Sequence, residues 1–94
     1  MATRPTGSYT ARLLGGGVDA VARKVVEEAT EVLIAAKDDA AAEGSGATSA
    51  ARSSGREALA GEAGDLVYHA LVLLAERGLR PSEVLGVLKT RHRA

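Results

Sequence analysis

The sequence predicts an all-α fold, and three observations carry that expectation. Apolar residues recur at intervals of three and four, as along one face of a helix: Val18, Val21, Val25, Ala29, Val32 and Ala36 form such a series. Phe and Trp are absent, and Tyr9 and Tyr68 are the only aromatics. A core of Leu, Val, Ile and Ala suits closely packed helices better than a sheet. Glycine and proline also fall where helices would stop and start.

Taken in order, residues 1–7 read as an extended tail, because Pro5 and Gly7 resist helix. Ser8 is placed to cap a short helix through Leu14, which the Gly15-Gly16-Gly17 run would stop. Asp19 has the chemistry of an N-cap for a long helix from about Ala20 to about Ala42. A second long helix covers roughly Arg56 to Arg77 and ends at Gly78. A third begins near Pro81, a residue favoured at the first helical position, and turns Val84, Leu85 and Leu88 inward. Between the long helices, Asp38 to Arg56 is rich in Ala, Gly and Ser and holds no Leu, Ile, Val or aromatic residue. With so little to bury, this stretch is expected to be a loop, disordered around residues 44–54.

The 94 residues are read as one domain, 1–94. At that size a folded chain buries only about 60% of its unfolded surface. Association is the expected remedy, as a dimer with Val67, Leu71 and Leu74 in its buried seam. Twelve basic residues balance twelve acidic ones, so net charge draws the chain to neither nucleic acid nor membrane. No stretch approaches the ~20 apolar residues of a membrane span, and the N-terminus lacks a signal-peptide core. A soluble cytoplasmic protein is expected. Cysteine is absent, which excludes disulfides and thiolate metal sites. Any metal must be held by oxygen or by His69 and His92.

The acids are distributed unevenly. Glu27, Glu28, Glu31, Glu62 and Asp65 fall in two short runs within apolar helical stretches. With Glu27 at zero on a helical wheel, Glu28 lies at about 100°, Glu31 at about 40° and Lys24 at about 60°. Glu62 and Asp65 are three apart and share a face, and His69 continues their stripe. If the helices pack antiparallel, four or five carboxylates converge. Such convergence is unfavourable unless a cation sits between them, and magnesium accepts oxygen ligands while leaving positions for phosphates and water. Solvated acids on a bundle surface are the alternative, but the two paired runs favour the metal site. His69 is expected to hydrogen-bond a carboxylate. Tyr68 faces away from the acids and is assigned to core or dimer packing. The triple glycine, without a phosphate-loop context, reads as a flexible joint.

Three segments resemble the phosphoribosyl-ATP pyrophosphohydrolase family, within the all-α nucleotide pyrophosphatases related to MazG. They are Gly7-Ser8-Tyr9-Thr10-Ala11-Arg12-Leu13-Leu14, Lys24-Val25-Val26-Glu27-Glu28-Ala29-Thr30-Glu31-Val32, and Glu62-Ala63-Gly64-Asp65-Leu66-Val67-Tyr68-His69. The run Val72 to Leu79 also fits. The family often has Gly at Val26 and Lys at Arg12, and its usual linker is shorter than the Ala/Gly/Ser stretch here. The resemblance implies helical hairpins that form a four-helix-type bundle completed by homodimerisation. It implies hydrolysis of phosphoribosyl-ATP to phosphoribosyl-AMP and pyrophosphate, the second step of histidine synthesis. In this reading Glu28, Glu31, Glu62 and Asp65 hold Mg2+, with Mn2+ a possible substitute, and Glu27 is a further ligand or the base. Arg12 and Lys24 meet phosphate oxygens, and Ser8 and Tyr9 join the substrate contacts. The rival readings are a house-cleaning nucleoside triphosphate pyrophosphohydrolase and, more distantly, a non-catalytic helical dimerisation module.

Overall fold

A computed structural model describes residues 6–92, and all the regular structure among them is helical. Four helices follow in order: α1 (Thr6–Gly15), α2 (Gly17–Gly44), α3 (Ser49–Glu76) and α4 (Pro81–Arg91). Helices α2 and α3 pack along their lengths as an antiparallel hairpin, and α1 lies against both.

The hairpin seam has a repeat of three and four residues. On α2 it runs through Val21, Val25, Glu28, Val32, Ala35, Asp39 and Ala42; on α3 through Arg52, Gly55, Leu59, Glu62, Leu66, His69 and Leu73. None of these residues is fully exposed. This is the spacing that keeps two supercoiled helices facing each other. Four charged residues therefore occupy seam positions that an ordinary bundle fills with aliphatic side chains: Glu28, Asp39, Arg52 and Glu62.

The segment expected to be a disordered loop around 44–54 is ordered and mostly helical. Helix α2 runs on through Gly44, and α3 begins at Ser49 instead of Arg56. Only a tight turn separates them, with Gly46 at a φ of 75° that other residues rarely adopt. The Thr48 hydroxyl accepts the Ala51 N–H at 3.2 Å, a cap worth about 1 kcal/mol. Two physical terms outweigh the lack of large apolar residues. Alanine has the highest intrinsic helix propensity, and small residues let the helices approach closely. Asp39 then faces Arg52 at 3.7 Å and Arg56 at 3.9 Å across the seam, joining the hairpin arms near the turn.

Other boundaries shift by smaller amounts. Thr6 and Gly7 belong to α1, so Ser8 lies inside the helix instead of capping it, and residues 1–5 of the expected tail lie outside the described residues. Gly16 occupies the N-cap of α2, and Asp19 sits in its first turn, where a carboxylate still complements the helix dipole. The expected flexible joint is a single tight step between helices, with Gly17 at a φ of 82°. Helix α4 starts at Pro81 as expected, and the Arg80 N–H donates to Glu83 at 2.9 Å. Leu85 and Leu88, expected inward, are 58% and 47% exposed, because α4 packs on no other helix extensively.

An 18-residue window of α3 has a mean hydropathy of 1.3, enough by length and composition alone to cross a membrane. One such helix does not indicate a membrane, and this one pairs with α2 through a seam that contains Glu62 and His69. Apolar burial within one chain is small. Val21 and Val72 are the buried apolar side chains among the described residues, while Val67 is 57% and Leu71 40% exposed.

Candidate active site

Midway along the hairpin, the two acidic runs meet. Glu28 projects from α2 into the seam and is only 7% exposed. Glu62 faces it from α3, and Asp65 stands one turn further on. Ligand oxygens of Glu28, Glu62 and Asp65 all lie within 4.8 Å of one another. The Glu31 carboxyl, one turn along α2, hydrogen-bonds that of Glu62.

The electrostatics follow from this crowding. The Glu62 carboxyl is pushed above its ordinary value of 4.5, first by the hydrogen bond with Glu31, then by desolvation, then by repulsion from Glu31, Asp65 and Glu28. Glu28 Oε1 and Glu62 Oε1 are shut off from solvent without a hydrogen-bond partner. A buried carboxylate oxygen left in that state is costly unless a cation or a proton compensates it. An all-oxygen donor set with two orphaned buried oxygens fits a hard divalent cation of the magnesium type.

Lys24 stands at the edge of the cluster. Its ammonium donates to Glu27 at 3.1 Å and approaches Glu28 to 3.5 Å. Its pKa is raised, chiefly by the hydrogen bond to Glu27, against a smaller opposing desolvation. Glu27 itself is half exposed and turned toward Lys24, so it is not drawn into the cluster. Arg12 and Ser8 are exposed on α1.

Tyr9, expected as a substrate contact, is half-buried on α1 and hydrogen-bonded to His69. Its hydroxyl shares a hydrogen bond with His69 Nε2 at 2.7 Å, while His69 Nδ1–H donates to the Asp65 carbonyl, also at 2.7 Å. His69 is therefore bonded to a backbone carbonyl and a phenol, not to a carboxylate. Tyr68 packs on α1: its hydroxyl bonds that of Thr10, and its ring lies 6.4 Å from that of Tyr9. These contacts fasten α1 to α3 next to Asp65. No spacing rule reveals them, because the partners are about sixty residues apart in the chain.

Known proteins are similar to this chain over nearly its whole length. The family model described as phosphoribosyl-ATP pyrophosphohydrolase matches residues 1–92. The phosphoribosyl-ATP pyrophosphatase of Pelotomaculum thermopropionicum is 50% identical over 88 residues, which cover 94% of this chain and 74% of that protein. Its counterpart in Rhodopirellula baltica is 43% identical over 90 residues, covering 96% of this chain and 65% of the relative. The histidine biosynthesis bifunctional protein HisIE of Deinococcus radiodurans is 45% identical over 91 residues; this chain spans 35% of its length. No solved structure matches. The chain thus belongs to the phosphoribosyl-ATP pyrophosphohydrolase family, a family of hydrolases.

Proposed function

We propose that this chain hydrolyses phosphoribosyl-ATP to phosphoribosyl-AMP and pyrophosphate, the second step of histidine biosynthesis, with Mg2+ as its cofactor. The carrying observation is the pair of buried, unpartnered carboxylate oxygens on Glu28 and Glu62, which face each other in a hairpin seam. The names of the relatives supply the substrate. Glu28, Glu31, Glu62 and Asp65 hold the cation, and Mn2+ can replace it. When bound, such an ion neutralises the acids, offsets charge on the phosphates and lowers the pKa of water.

The chain's own groups do the rest. Lys24 presents its ammonium to phosphate oxygens at the edge of the cluster, and Arg12 is free on α1 to meet others. Ser8 lies on the same helix as a further contact. Tyr9 acts on the site through His69, keeping α1 seated beside Asp65. Glu27, solvent-facing and restrained by Lys24, is placed to act as base or as a further ligand.

The reading is tested by pyrophosphate release from phosphoribosyl-ATP with magnesium and with EDTA. Release that needs the cation and exceeds that from dNTPs is the expected result. Preference for ordinary or damaged triphosphates would mark a house-cleaning enzyme instead. No release under any condition would leave a helical dimerisation module.

The protein in this reading is a cytoplasmic homodimer. Val67 and Leu71 lie open on the outer face of α3, with half-buried Leu74 near them, and form the seam against a second hairpin. One chain buries too little apolar surface to be stable by itself. Sedimentation equilibrium at micromolar protein should give twice the chain mass; a monomer mass throughout would exclude the four-helix bundle.

A further inference from the structure

A cleft of about 610 Å³ opens at the tip of the hairpin, lined by Ala47 of the turn and by Ser49, Arg52, Ser53 and Arg56 of α3. The four α3 residues are spaced three, one and three apart, so they share one face of the first two helical turns. Two guanidinium groups and two hydroxyls thus meet in one cleft, and among the described residues no carboxylate lines it.

The cations there are undercompensated. Acids are the favoured charges where a helix begins, yet α3 has none in its first turn and carries Arg52 and Arg56 just beyond it. Asp39 serves both arginines, from 3.7 Å and 3.9 Å. Neither is a hydrogen-bond distance, and Arg52 Nε is shut off from solvent with its N–H unpaired. Two cations against one carboxylate leave a positive charge in excess. A guanidinium presents its N–H donors in a fixed fork that matches the oxygens of a phosphate, and the Ser49 and Ser53 hydroxyls add donors to the same cleft. The volume falls within the range of about 300–1,000 Å³ typical of small-molecule sites, which leaves room for the group that a phosphate is attached to.

The acidic cluster of the same chain lies on the other flank. With Leu59 of the seam at zero on a helical wheel, Arg56 stands at about +60° and Ser53 at about +120°. Glu62 and Asp65 stand at about −60° and −120°. We propose that the tip cleft is a binding site for a phosphomonoester dianion separate from the substrate, with Arg52 and Arg56 donating to its oxygens beside Ser49 and Ser53. Such a ligand cancels the excess charge and ties the first two turns of α3 together. The assignment stands on the chemistry of the cleft and does not depend on the hydrolase reading.

The test is the melting temperature in EDTA at about pH 8, titrated with inorganic phosphate and, separately, with ribose 5-phosphate. Without metal the acidic cluster repels both probes, so a saturating rise reports another site. Sodium chloride at matched ionic strength should not reproduce it. Arg56 is 68% exposed and Ser53 is open, so Arg56→Gln and Ser53→Ala should leave the helical circular dichroism unchanged. Arg56→Gln should raise the titration midpoint at least ~10-fold, the scale of a lost charge-assisted hydrogen bond, and Ser53→Ala several-fold. Arg56→Lys, a point charge without the fork, should fall between wild type and Arg56→Gln. Lys24→Met should leave the midpoint within about twofold. A rise that never saturates, or that Arg56→Gln leaves intact, is the general effect of an excluded salt and overturns the site. Loss of the shift in Lys24→Met but not in Arg56→Gln also overturns it, by moving the anion to the edge of the acidic cluster. Turnover separates the remaining source of phosphate: the KM for phosphoribosyl-ATP should be unchanged in Arg56→Gln, and a raised KM would make the cleft a substrate contact and end the proposal.

Discussion

Asp65→Asn and Glu62→Gln should each lower pyrophosphate release at least ~100-fold, a common scale for a lost metal ligand or transition-state contact, while far-ultraviolet circular dichroism stays helical. Each amide matches its acid in volume, so packing in the hairpin changes little. What is lost is one negative oxygen from a set whose ligand atoms lie within 4.8 Å of one another. The same reasoning applies to Glu31→Gln, whose carboxyl reaches the cluster through Glu62. Near-normal turnover in both Asp65→Asn and Glu62→Gln would reject this cluster as the reaction centre. The four acids would then be a charged but idle section of the seam.

The second large effect is on stability and needs no substrate. Without a cation, the folded chain holds Glu28, Glu62 and Asp65 together, whereas unfolding separates them. The sign of the pH dependence follows from Glu62, whose folded pKa lies above the ordinary 4.5. Its protonated form is favoured by folding, so its contribution is full below the ordinary carboxylate value and lost as pH rises through the raised folded value. Metal-free protein should therefore melt progressively lower as pH climbs through that window. At neutral pH a cation that binds only the folded state stabilises it by RT ln(1 + [L]/Kd), about 2.7 kcal/mol at one hundred times Kd. For a domain of this size that corresponds to a rise of roughly 10 °C. Millimolar magnesium or manganese should produce the rise, and sodium at matched ionic strength should not, because screening is not coordination. Glu28→Gln combined with Glu62→Gln should shrink the shift and raise the metal-free melting point. Equal shifts with magnesium and sodium, together with an unchanged metal-free melting point in the double variant, would exclude the convergent site.

Much of this site is legible without coordinates because a helix fixes side-chain direction locally. Three acids at Glu27, Glu28 and Glu31, and two at Glu62 and Asp65, must occupy narrow arcs once their segments are helical. Which acid turns inward is a different matter. On the helical wheel Glu28 stands about 100° from Glu27, so the two cannot both point into the same seam. In the hairpin the seam follows the seven-residue series Val21, Glu28, Ala35, and Glu28 is buried while Glu27 stays outside with Lys24. That choice depends on how far α2 is rotated about its axis, which α3 imposes. The same repeat, continued through Ala35, Asp39, Ala42 and then Arg52, Gly55, Leu59, was the overlooked sign that residues 44–54 complete a hairpin. Composition alone argued for disorder because it counts apolar mass and ignores helix propensity and the ion pairs of Asp39.

The all-α character, the two paired runs of acids and the motifs of a pyrophosphohydrolase can all be read from the residues in order. These are local properties, carried by propensity, periodicity and residue identity within short windows. Three features depend on the packing of one helix on another: Glu28 lies buried against Glu62, Tyr9 reaches His69, and a cleft opens between Ile34 and Ala58. Each of those joins residues tens of positions apart. Their meeting is set by the rotation and register of one helix against another, and that is governed by packing along the whole seam, not by the residues that meet.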